Sequence, residues 1–125
     1  MPTEKHRIIY LEDDDLTRRV FQKYLSDSES ATTVKDTDIF FELISKTRYP
    51  LIFLDINLRH DSSGIEIIER IREIPDYEQC KIIALTAYAL NGDREFYLSK
   101  GFDDYLPKPY NMQQLNKIID KYFSK

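Results

Sequence analysis

Ile8-Ile9-Tyr10-Leu11-Glu12-Asp13 is a short apolar run that ends on two carboxylates. The pattern returns at Leu51-Ile52-Phe53-Leu54-Asp55, at Ile82-Ile83-Ala84-Leu85-Thr86, and at Tyr105-Leu106 with Lys108 just beyond. Short runs rich in Ile and Leu and bounded by polar residues fit strands buried on both faces of a parallel sheet. Their carboxyl ends then line one edge, where open α/β sheets bind ligands. A metal and a phosphoryl group could both sit at such an edge.

Between the runs the period becomes helical. Leu16, Val20, Tyr24 and Leu25 recur at helical spacing, as do Ile39, Phe40, Leu43 and Ile44, then Ile67, Ile68, Ile71 and Ile74. Leu115, Ile118, Ile119, Tyr122 and Phe123 form the clearest stripe, with Asn111 placed to cap its start. Gly101 stands where a helix beginning near Asn91 needs a left-handed closing residue. Residues 31–34 and 104–106 supply two weaker strands. Five strands alternating with five helices predict a doubly wound (βα)5 sandwich around a five-stranded parallel sheet.

At 125 residues, 42% hydrophobic and 32% charged, the chain has the size and balance of one soluble domain. Residues 1–125 read as that single domain, with no output domain after Phe123. No apolar stretch approaches a membrane span and the N-terminus lacks a signal-peptide core, so a cytoplasmic location is expected. The single cysteine, Cys80, reads as a small hydrophobe before a strand. A net charge of −4 without a basic run argues against direct nucleic-acid binding.

In the acidic run Glu12-Asp13-Asp14-Asp15, the last two residues suit a helix start, with Asp15 as a cap for a helix from Leu16. Glu12 and Asp13 directly follow a buried strand, where adjacent carboxylates repel unless a cation joins them. Mg²⁺ accepts one or two such oxygens and keeps several waters. Asp55 is either a further ligand or a nucleophile able to form an acyl phosphate. Thr86 offers a hydroxyl, and Lys108, between Pro107 and Pro109, a compact charge suited to a phosphoryl oxygen.

Together these segments resemble response-regulator receiver domains of two-component phosphorelays, and residues 84–109 are most similar to receivers of hybrid sensor kinases. The resemblance spans essentially the whole chain in order and implies a flavodoxin-like receiver fold. It implies Asp55 as phosphoacceptor, Glu12 and Asp13 as Mg²⁺ ligands, and the backbone carbonyl of Asn57 as a further ligand. By the same resemblance Asp13 would be the direct ligand of the pair, with Glu12 acting through water. Thr86 and Lys108 would bind phosphoryl oxygens. Tyr105 would couple Thr86 to a surface formed by the fourth helix, fifth strand and fifth helix, which is also a homodimer surface in this reading. Asn57 and Tyr88 fall where similar domains tune phosphoryl lifetime.

The implied phosphodonor is a histidine kinase or histidine phosphotransfer protein, and the downstream protein target is unspecified. Catalysis would be limited to self-phosphorylation and autodephosphorylation. The alternative is a pseudo-receiver, a protein-binding module independent of phosphorylation. The chain departs from the family at Leu58-Arg59-His60-Asp61-Ser62-Ser63-Gly64, where Arg59 replaces a usual proline and the glycine comes one residue late. His60 there reads as a solvated loop residue, not a relay.

Overall fold

A computed structural model describes residues 6–25, 29–56, 64–87 and 93–123. The chain runs β1 (His6–Leu11), α1 (Asp15–Tyr24), β2 (Glu29–Val34), α2 (Thr37–Lys46), β3 (Leu51–Asp55), α3 (Gly64–Arg72), β4 (Lys81–Thr86), α4 (Asp93–Ser99), β5 (Asp104–Pro107) and α5 (Met112–Phe123). The strands form one sheet in the order β2-β1-β3-β4-β5, and every neighbouring pair is parallel. The expected doubly wound (βα)5 sandwich is the observed fold.

Alternation along the strands explains the layers. Successive side chains point to opposite faces. Ile9, Leu11, Ile52, Leu54, Ile82 and Ala84 thus meet Phe40, Ile44, Ile67, Ile68 and Ile71 from α2 and α3. Ile8, Tyr10, Leu51, Phe53, Ile83 and Leu85 meet Phe21 from α1 and Leu115 and Ile119 from α5. Burial on both faces is why β1, β3 and β4 read as continuous apolar runs.

Register sets the functional edge. Leu11 pairs with Leu54, Asp55 with Leu85, and Thr86 with Pro107, so the residues that follow these strands emerge side by side. Two backbone bonds extend the alignment: Ile56 N–H to the Leu85 carbonyl at 2.9 Å and Lys108 N–H to the Thr86 carbonyl at 2.7 Å. The Lys108–Pro109 peptide is cis.

Helix boundaries differ from the sequence reading in instructive places. Asp14, not Asp15, caps α1: its backbone is extended and its carboxylate accepts from the Thr17 N–H at 2.8 Å. Asp15 is instead the first helical residue and pairs with Arg18. Asn111 caps α5 as expected, in a reciprocal bond with Gln114. Gly101, with φ of 107°, closes α4, which begins at Asp93. The α1 stripe is rotated from the expected phase, whereas α2 buries Phe40 and Ile44 as expected and exposes only Ile39 at the edge of its stripe. Phe21 and Phe40 are fully buried, whereas Leu16 and Ile39 are exposed.

Cys80 lies buried just before β4, and desolvation pushes its thiol up to about 12, which leaves it an inert packing residue. Among the described residues no helix is long and apolar enough to cross a membrane.

Candidate functional site

Glu12, Asp13 and Asp55 each place a carboxylate oxygen within 4.8 Å of the others at the carboxyl edge of β1 and β3. Glu12 and Asp55 are almost fully buried. Each is held by its strand end: the Glu12 N–H donates to the Val34 carbonyl at 2.9 Å, and Asp55 is the last residue of β3. Arg18 reaches back from α1 to donate to the Glu12 carbonyl at 2.8 Å, fixing the turn that carries Asp13.

Lys108 enters from the end of β5. Its Nζ lies 2.9 Å from Glu12 Oε1 and 3.4 Å from Asp55 Oδ1, so one ammonium bridges two buried carboxylates. Burial alone would lower the Lys108 pKa, but Glu12 and Asp55 raise it above the usual lysine value and keep it charged. Glu12 is raised, mainly by burial; Lys108 opposes that shift, Asp55 reinforces it, and Tyr10 opposes it. Three carboxylates therefore gather at this edge, two of them bridged by the Lys108 ammonium. An all-oxygen, anionic donor set of this size fits a hard divalent cation such as Mg²⁺.

Thr86 ends β4 and is fully buried beside these groups. Tyr105, on β5, is half-buried; its ring packs 5.9 Å from that of Tyr97 on α4. Asn57, Tyr88 and His60 lie outside the described residues. The fold therefore brings together Glu12, Asp13, Asp55, Thr86 and Lys108, and puts Tyr105 on the strand that leads to the lysine.

Three contributions were not foreseen in the sequence, although Gly64 was noted there as a late glycine. Tyr10 donates its hydroxyl to Glu12 Oε1 at 2.8 Å, a partner that the two-residue strand period could have flagged. Arg18 is the second. Gly64 is the third: a Cβ there would lie 2.9 Å from Ile56 Cδ1 and 3.0 Å from Ile56 Cα, so a side chain would crowd the end of β3 where α3 starts. Beside Lys108, a groove of about 550 Å³ runs between α1 and the β5–α5 turn, bordered by Leu16, Val20, Tyr24, Pro109 and Tyr110.

Comparison with known proteins agrees with this geometry. Residues 8–120 match the family model described as the response regulator receiver domain. An uncharacterised 14.6 kDa protein of Leptolyngbya boryana is 34% identical over 92% of this chain and 88% of its own length. Hybrid signal transduction histidine kinase F of Dictyostelium discoideum is 31% identical over 93% of this chain, which spans only 11% of that kinase. Among solved structures, the receiver domain of the sensor histidine kinase PA1611 from Pseudomonas aeruginosa PAO1 superposes with a TM-score of 0.84. It is 30% identical, with 98% of this chain and 100% of that one covered, and has a magnesium ion coordinated in its active-site cleft.

Proposed function

The chain belongs to the response regulator receiver domain family of two-component signalling, and on that premise we propose that it takes a phosphoryl group onto Asp55 from a phosphohistidine of a partner protein. In the transfer a carboxylate oxygen of Asp55 forms the new P–O bond as the P–N bond to the donor imidazole breaks, and the imidazole leaves. Phosphoryl transfer depends mainly on alignment and charge neutralisation. Mg²⁺ held by Glu12, Asp13, Asp55 and the Asn57 carbonyl would neutralise charge on the phosphoryl oxygens. Lys108 would pair with one of those oxygens and Thr86 would donate its hydroxyl to another. The groove beside Lys108, rimmed by an exposed Leu16, offers the donor protein a surface near Asp55.

The single observation that carries this reading is the Lys108 ammonium, set between Glu12 and Asp55 with Asp13 alongside. Incubation with acetyl phosphate and Mg²⁺ is expected to add one phosphate, stable in acid and labile in base, that Asp55→Ala abolishes. A phosphorylation-independent pseudo-receiver would gain none, and an enzyme would turn the donor over without retaining label.

We further propose that the new charge draws Thr86 inward and favours an inward Tyr105, reshaping α4, β5 and α5 by population shift. The Tyr105–Tyr97 ring contact supports this route, because it links the β5 aromatic to α4. Beryllofluoride with Mg²⁺ is expected to change amide hydrogen exchange across α4–β5–α5 in the native protein and to change it much less in Tyr105→Ala. An equal response in the two proteins would remove Tyr105 from the switch. The same surface is the proposed contact for a downstream protein or a second copy.

A further inference from the structure

We infer that Tyr10 is a positioning residue of the cation site, its buried hydroxyl holding Glu12 in place and leaving Lys108 able to exchange partners. The inference rests on the proposed phosphoacceptor reading and extends it to a side chain in the middle of the first apolar run. Tyr10 is fully buried, its ring 4.5 Å from that of Phe21 and 6.3 Å from that of Phe53. A core position of this kind accepts phenylalanine equally well, so packing does not call for the hydroxyl. The hydroxyl nevertheless meets Glu12 Oε1 at 2.8 Å.

The hydrogen bonds on Glu12 give that contact a purpose. A carboxylate oxygen has about two lone-pair sites. Oε1 accepts from Tyr10 and from Lys108, and Oε2 accepts from the Asp14 N–H at 3.1 Å. Counting the described residues, one site, on Oε2, is left for a cation or a water bound to it. Glu12 is thereby presented through a single oxygen, in a fixed orientation.

Lys108 has a second obligation toward a phosphoryl group on Asp55. When the ammonium moves there, Oε1 loses one donor and keeps the other. Without the hydroxyl, the ammonium would be the only side-chain donor to this buried oxygen among the described residues and would be held against Glu12. There it competes with a divalent cation for the same negative charge. Removing the hydroxyl should therefore weaken cation binding. Partners that orient metal ligands typically contribute about 10–100-fold to metal affinity.

Titration calorimetry with magnesium chloride on the full chain tests this with native protein, Tyr10→Phe and Phe21→Leu. The last variant disturbs packing against the Tyr10 ring without touching Glu12. The expected result is native binding of Mg²⁺, about tenfold weaker binding by Tyr10→Phe, and native affinity in Phe21→Leu despite a lower melting temperature. Native affinity in Tyr10→Phe would overturn the inference, as would an equal loss in Phe21→Leu, which would trace the effect to packing. If the native protein bound no Mg²⁺, the cation-site reading would fail and this inference with it.

Discussion

Replacing Lys108 with alanine is expected to slow phosphoryl uptake from acetyl phosphate by on the order of 10²–10³-fold, the usual consequence of removing one donor aimed at developing charge. The same substitution should destabilise the fold. The ammonium bridges Glu12 and Asp55, its own side chain only 22% exposed and theirs nearly buried. Removing one member of a buried ion pair typically costs about 3–5 kcal/mol, because the remaining charge is left uncompensated.

The deficit has a pH signature. Glu12 already lies above the usual carboxylate range, chiefly through burial, and loss of Lys108 raises it further. A carboxyl raised in the folded state weakens the fold when it ionises. The variant should therefore approach native stability in acid, below the ordinary value of 4.5, and lose stability as pH rises through the folded value. Urea unfolding at several pH values reads this directly. Uptake at the native rate, or a deficit that grows in acid, would contradict the assigned role.

Asp13→Asn is expected to remove the coupling between Mg²⁺ and stability. A ligand that binds only the folded state stabilises it by about 2.7 kcal/mol at a hundredfold excess over its Kd. The native protein should accordingly melt at a higher temperature when Mg²⁺ is added, and a chelator should reverse the gain. Asn keeps the shape of Asp13 but removes one of the three anionic groups whose oxygens lie within 4.8 Å of one another. The Mg²⁺-dependent shift should then largely vanish, and acetyl phosphate labelling with it. A full shift in the variant would mean that Asp13 is not a direct ligand.

The strand-end residues were legible because a parallel sheet turns separate stretches of sequence into neighbours, and the apolar runs revealed the sheet. Glu12, Asp55, Thr86 and Lys108 lie together for that reason alone. Helix faces were less legible. A stripe gives the period but its phase and edges depend on tertiary packing, so in α1 Leu16 faces outward where Phe21 turns in, and in α2 Ile39 at the stripe's edge is exposed while Phe40 is buried as expected. The α1 cap shifted by one residue because Asp14 and Asp15 have the same local chemistry and only backbone conformation separates them.

Tyr10 was hidden for a different reason: within an apolar run a tyrosine reads as its ring. Its hydroxyl becomes informative only when residues two apart on a strand share a face and the second is a buried carboxylate. Arg18 was similarly hidden, since it acts through a backbone carbonyl that leaves no residue pattern. The crowding at Gly64 is legible only in three dimensions, through the approach of α3 to Ile56.

Phosphoryl transfer to Asp55 is tested most directly by identifying the residue that carries the phosphate. After treatment with acetyl phosphate and Mg²⁺, borohydride reduction converts an aspartyl phosphate to homoserine, which peptide sequencing by mass spectrometry can place. Homoserine is expected at position 55, dependent on Mg²⁺ and strongly reduced in Lys108→Ala. Homoserine at another carboxylate, or phosphate retained on His60 with position 55 unchanged, would contradict it.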